Sequence, residues 1–138
     1  MAQALSNPED ILMSIKPSYA QMILEGSKTI ELRRKFSGVA NIGKKILIYA
    51  TSPKKQIIGE CYVKDVLHLP LDQLWSASCR DAMIDWKTFS NYFHNLDSGY
   101  GIVLHKQAMY ENPIPLSSMR DIYNITPPQS YRSVGPTL

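Results

Sequence analysis

The sequence predicts an α+β domain: a small, curled, mostly antiparallel β-barrel with flanking helices. Three observations predict it. Apolar runs with strand character recur at residues 11–15, 45–50 and 56–66. Short loops join several of the strands, which favours antiparallel neighbours. Helical spacing is concentrated at 17–25 and about 70–95. The chain has 138 residues, of which 44% are hydrophobic and 20% charged, so it suits one globular domain and excludes disorder or a disulfide scaffold as a description.

Residues 1–9 read as a loose arm, and 10–122 as the domain. Ile11-Leu12-Met13-Ser14-Ile15 is a buried strand. Pro17 sits well at a first helical position, Ala20, Ile23 and Leu24 recur at helical spacing, and Gly26 stops the helix. From Lys28 to Arg34 a strand puts Ile30 and Leu32 on one face and Thr29, Glu31 and Arg33 on the other. Gly38 and Gly43 mark a turn-rich basic loop.

Lys45–Ala50 lacks clean alternation, which predicts burial on both faces. Thr51 to Lys55 is a polar loop, and Gln56 to Val66 a strand with a bulge or close approach at Gly59. In the helical insertion, about 70–95, Leu71, Leu74 and Trp75 share helical spacing, as do Trp86, Phe89 and Phe93. Trp75 and Trp86 read as core, and Asp72, Asp81 and Asp85 as helix starts. Strands return at Tyr100 to His105 and at Ala108 to Leu116, the second an edge because of Pro113 and Pro115. A short helix over 117–122 precedes a tail, 123–138, whose Tyr131 and Arg132 either fold over a cleft or fray.

The net charge of +3 is uneven. Residues 27–60 hold eight cations against two carboxylates, +6, which leaves −3 for the rest. Such asymmetry fits a polyanion partner or, equally, lysines that keep loops soluble. No run approaches the ~18 apolar residues of a membrane span. Cys61 and Cys79 lack metal-like spacing, and His68, His94 and His105 are scattered. These features predict a cytoplasmic protein without a metal site or other cofactor.

The sharpest local feature is Gly26-x-Lys28-x-x-Glu31-x-Arg33, between a helix end and a strand. The helix C-terminus favours the Lys28 cation, and Glu31 lies among Lys28, Arg33 and Arg34. One reading is a surface ion-pair cluster. The other is a polar cleft in which Lys28 or Arg33 meets phosphate and Glu31 a base edge. Tyr49 either stacks on a base or packs in the core, while Thr51 and Ser52 open the loop beside it. Tyr100, between Gly99 and Gly101, offers either close backbone approach to a ligand or a strand-end bulge.

This motif resembles the signature of ASCH domains, of the PUA-like superfamily, and the flanking ILMSIKPSYAQMILEG and ILIYATSPKKQIIGE resemble its bacterial and phage branch. The resemblance spans about residues 10–122. It implies a curled barrel whose cleft carries the signature residues and binds RNA or a modified nucleotide. Some members of the family are ribonucleases. One bacterial branch hydrolyses the acetyl amide of N4-acetylcytidine with a lysine, a threonine three positions later and a distant glutamate. Lys28 matches that lysine, Glu31 stands at the threonine position, and 70–95 offers aspartates but no glutamate.

The leading expectation is RNA or nucleotide binding through Lys28, Glu31, Arg33, Tyr49, Thr51 and Ser52. The alternatives are a hydrolase of a modified nucleoside or single-stranded RNA, with Lys28 and Glu31 catalytic, and a non-catalytic module that meets an acidic protein.

Overall fold

A computed structural model of the chain describes residues 7–134. Its elements are β1 (Ile11–Ile15), α1 (Pro17–Glu25), β2 (Ile30–Arg33), β3 (Lys45–Ala50), β4 (Gln56–Pro70), α2 (Leu71–Ser78), α3 (Trp86–Tyr92), β5 (Ser98–Pro115), α4 (Leu116–Asp121) and β6 (Tyr131–Ser133), with a 3-10 turn at Gly38–Asn41. Six strands form one sheet in the order β2-β5-β4-β3-β1-β6. Every neighbouring pair is antiparallel except β1 with β3. Register shifts at Ile57/Gly59, Glu60/Tyr62 and Val63/Asp65 interrupt the long β4–β5 ladder. Such bulges bend and twist a sheet, and here they curl it into a half-barrel.

The neighbouring strands β3 and β1 are buried on both faces, as the lack of alternation in Lys45–Ala50 predicts for β3. Ile11, Met13, Ile15, Ile46, Ile48 and Ala50 join Ala20, Ile23 and Leu24 of α1 in the inner core. The alternate residues Leu12, Leu47 and Tyr49 pack outward with Met119 of α4, Ile125 and Val134. A third cluster joins Ile30 and Leu32 of β2 to Leu74, Phe89 and Phe93 of the helical insertion.

Helix α1 begins on Pro17 and ends where Gly26 turns left-handed, at φ 91°. The freed Met22 carbonyl accepts the Ser27 and Lys28 N–H groups, each at 3.1 Å, so the helix end fixes the start of the signature strand. Asp85 caps α3 by accepting from the Thr88 N–H at 2.8 Å.

Several expectations change. The two strands expected over 100–116 are one strand, β5, which continues through a positive-φ residue at Lys106. Asp81 starts no helix; it lies between α2 and α3, and its carbonyl accepts the Thr29 and Ile30 N–H groups at 2.9 and 3.2 Å. Trp86 is 54% exposed rather than core, with its ring against Trp75 and Phe89. Residues Tyr131–Ser133 of the expected tail pair with β1 as β6. Residues 1–6 and 135–138 lie outside the described residues.

One buried charge predicts a pH effect. Asp10 is 3% exposed, and its Oδ2 lies 3.9 Å from Lys45 Nζ without a hydrogen bond. Burial raises its carboxyl above the ordinary range; Lys45 opposes the rise and Glu60 adds to it. The folded chain therefore holds this proton at pH values where the unfolded chain has lost it. Stability from this group falls as pH rises from about 4 through the raised value. Asp10→Asn is expected to flatten that dependence, read as the urea midpoint against pH; an unchanged slope would contradict it.

Candidate functional site

The signature residues occupy a cleft rather than a solvated surface. Lys28, Glu31 and Arg33 are 2%, 7% and 9% exposed, and they border a recess of about 400 Å³. Its walls come from five places in the sequence. The end of β1 and start of α1 supply Ser14, Ile15, Lys16 and Tyr19; β2 supplies Glu31, Leu32 and Arg33; the helical insertion supplies Ile84, Thr88 and Tyr92; Thr51 and Gln129 complete it.

The strand period explains the β2 wall. Ile30 and Leu32 belong to the cluster shared with the insertion, which turns Glu31 and Arg33 the other way. Glu31 Oε2 accepts from Arg33 Nε at 3.1 Å and Nη2 at 2.8 Å. Its Oε1 lies 3.7 Å from Lys28 Nζ. The Arg33 fork also donates to the Ser14 carbonyl at 3.0 Å and to Ser130 Oγ at 3.1 Å. Arg33 thus ties β1, β2 and the segment before β6 together, and little of its donor capacity remains for a ligand.

Lys28 Nζ donates to the Ala82 carbonyl and lies 4.8 Å from the centre of the Tyr19 ring. Burial lowers its pKa below the usual lysine value; Glu31 opposes this and Arg33 adds to it. Two cations thus face one carboxylate, so the polar floor carries a net positive charge when Lys28 is protonated. Tyr92 is 38% exposed, and burial raises its hydroxyl pKa. Arg34 holds the end of α3 against β2 by donating to the Tyr92 and His94 carbonyls at 2.8 and 3.0 Å.

The cleft brings together Lys28, Glu31, Arg33 and Thr51, and leaves out two residues named from the sequence. Tyr49 faces the opposite side of β3, in the cluster with Leu12 and Leu47, because residues one apart on a strand point to opposite faces. Ser52 is exposed in the next loop and does not line the recess. The aromatic walls are Tyr19 and Tyr92 instead. Tyr19 had a local signal, since it follows Pro17 by two residues in the helix beside the motif. Tyr92 had none, because only the packing of the insertion over β2 brings it there. Gly99 and Gly101 serve packing, with Phe93 and Leu74 over them: an added Cβ would lie 2.3 Å and 3.2 Å from those side chains.

No helix among the described residues is long and apolar enough to cross a membrane. The ASCH domain family model matches residues 13–116. A protein named as an ASCH domain-containing ribonuclease, from Zymomonas mobilis, is 31% identical over 123 residues, covering 88% of this chain and 82% of its own. A crystal structure of an ASCH protein from Zymomonas mobilis aligns with a TM-score of 0.85 at 29% identity, over 92% of this chain and 88% of that one. The large ribosomal subunit protein uL22 of Ureaplasma parvum is 26% identical over 86% of this chain, which spans only 36% of that protein.

Proposed function

The chain belongs to the ASCH domain family, and on that premise we propose that it binds RNA or a single nucleotide, with one unstacked base seated in the cleft. The observation that carries this is a recess with Lys28 and Glu31 at its floor and Tyr19 and Tyr92 in its walls. Its volume, about 400 Å³, lies at the low end of the ~300–1,000 Å³ of small-molecule sites and suits one nucleotide unit. A carboxylate beside an ammonium offers an acceptor next to a donor, complementary to the edge of a nucleobase. The buried Lys28 is poorly placed for a bulky, hydrated phosphate. The exposed Lys16 at the rim is better placed, and an aromatic wall supplies a stacking face. A base in such a recess must leave its stack, so the ligand is single-stranded or already free.

Single-stranded RNA titrated at low salt tests the reading. Lys28→Ala and Arg33→Ala are each expected to weaken binding about tenfold or more, the first by removing a floor group and the second by loosening the wall. Raising salt should weaken the wild type with a log–log slope of about −0.7 for each phosphate contact. Unchanged affinity in both variants would place the ligand elsewhere, and no RNA binding at any salt would favour the protein-interaction alternative.

The Zymomonas relative is named a ribonuclease, which favours a second reading, hydrolysis of RNA; hydrolysis of an N4-acetylcytidine-type amide remains the other form of that reading. A buried lysine with lowered proton affinity beside a carboxylate suits the acid–base work of such a step. Incubation with RNA and with N4-acetylcytidine, with and without divalent cation, should give product that Lys28→Ala abolishes; no product in every condition would remove this reading. An RNA ligand, together with free Cys61 and Cys79, supports a cytoplasmic location.

A further inference from the structure

We propose that the stacked side chains of His68 and Tyr100 form a second base-stacking platform beside the cleft, so that the protein grips at least two consecutive nucleotides of one RNA strand. This rests on the nucleotide reading of the cleft.

The ladder places the platform. Arg33 of β2 pairs with Tyr100 of β5, and Tyr100 pairs with His68 of β4. Opposed residues in antiparallel strands share a face, so Arg33, Tyr100 and His68 form one row across three strands. With strands about 4.8 Å apart, the row carries the surface from the cleft wall to the His68 ring in roughly 10 Å. Tyr100 packs on the rim of the inner core, as does Tyr19 of the cleft. Cleft and platform therefore share one edge of the half-barrel.

The ring geometry favours a base as a further layer. The His68 and Tyr100 centroids are 4.1 Å apart and the planes differ by 9°. Among the described residues this is the flattest ring pair; Phe89–Phe93 and Tyr92–Phe93 are tilted by 54° and 73°. Two near-parallel rings at this separation continue the spacing of stacked bases. His68 Nε2 lies 3.3 Å from Ser98 Oγ, which fixes the ring edge-on. Tyr100 is half-buried and His68 is exposed, so the pair is held from behind by Tyr100 while the His68 ring is open to a ligand. Lys35, exposed just past β2, offers a cation on the phosphate path.

The platform is tested by calorimetric titration of nucleoside monophosphates and of a short single-stranded oligoribonucleotide. Wild type should bind the oligonucleotide more tightly than any monophosphate. His68→Ala should lower oligonucleotide affinity by about fivefold or more and leave monophosphate affinity unchanged. Tyr100→Leu, which keeps the apolar contact to the inner core, should do the same. If Tyr100→Leu fails to fold, His68→Ala decides alone, because His68 lies outside the core clusters. Wild-type oligonucleotide affinity in both variants overturns the platform and leaves the cleft standing. Equal wild-type affinity for monophosphate and oligonucleotide does the same. A wild type that binds neither overturns the cleft reading and the platform with it.

Discussion

Glu31→Ala is expected to cost about 3–5 kcal/mol of stability and to abolish ligand binding, a larger effect than removing either of its cationic partners. Glu31 is the carboxylate between two buried cations, Lys28 Nζ at 3.7 Å and Arg33 Nη2 at 2.8 Å. Without it, the buried cations Lys28 and Arg33 face each other with no carboxylate between them. Arg33 keeps the Ser14 carbonyl and Ser130 Oγ but loses the acceptor that takes two of its N–H groups. Glu31→Gln keeps the shape without the charge and should fall between wild type and Glu31→Ala. The decisive comparison is Lys28→Met with Glu31→Gln, which removes one cation and the carboxylate together. Urea midpoints should place that double variant well above the sum of the single losses, because no like-charged pair remains. Additive losses would show that the three groups do not act as one buried network.

Gly59→Ala should rank second, at the upper end of the ~1–3 kcal/mol typical of overpacking. A Cβ there would lie 2.6 Å from the Ala108 carbonyl oxygen and 2.7 Å from both Leu24 methyl carbons. Leu24 can turn aside, but the β5 backbone cannot without breaking the ladder. Leu24 belongs to α1, which carries Tyr19 and fixes Lys28 through the Met22 carbonyl. The variant should therefore lose RNA affinity as well as stability. Gly59→Ala/Leu24→Val should recover only part of the loss, since the carbonyl contact remains. Wild-type stability in Gly59→Ala would mean that α1 does not seat against β4 at this point.

Local punctuation and periodicity made much of the fold legible. Pro17 and Gly26 bracket α1, the mostly apolar run of β1 announces a buried strand, and the missing alternation of β3 announces one covered on both sides. Those same runs conceal which residue faces the cleft. In a strand apolar on both faces, Tyr49 carries no mark of its side, and only helix placement decides it. The lysine at position 28 suffers from the opposite problem. Lysine is almost never buried without a partner, and the partners here include a main-chain oxygen 54 residues away that no local pattern can reveal. Lys106 is a polar residue in a left-handed conformation, so it looks like a strand break although β5 runs on through it at the Glu60/Tyr62 register shift. The three-residue β6 is too short for periodicity to register, and its pairing with β1 is non-local.

The helical insertion hangs from β2 by main-chain oxygens. Thr29 and Ile30 reach Asp81, Lys28 reaches Ala82, and Arg34 reaches Tyr92 and His94, in every case through a carbonyl that any amino acid supplies. The hooks belong to the signature segment and the loops they catch are generic. Side chains such as Ile84 and Thr88 can therefore be exchanged without unhooking the cassette. Selectivity for different bases can be rewritten in that wall while the ionic floor beneath it stays as it is.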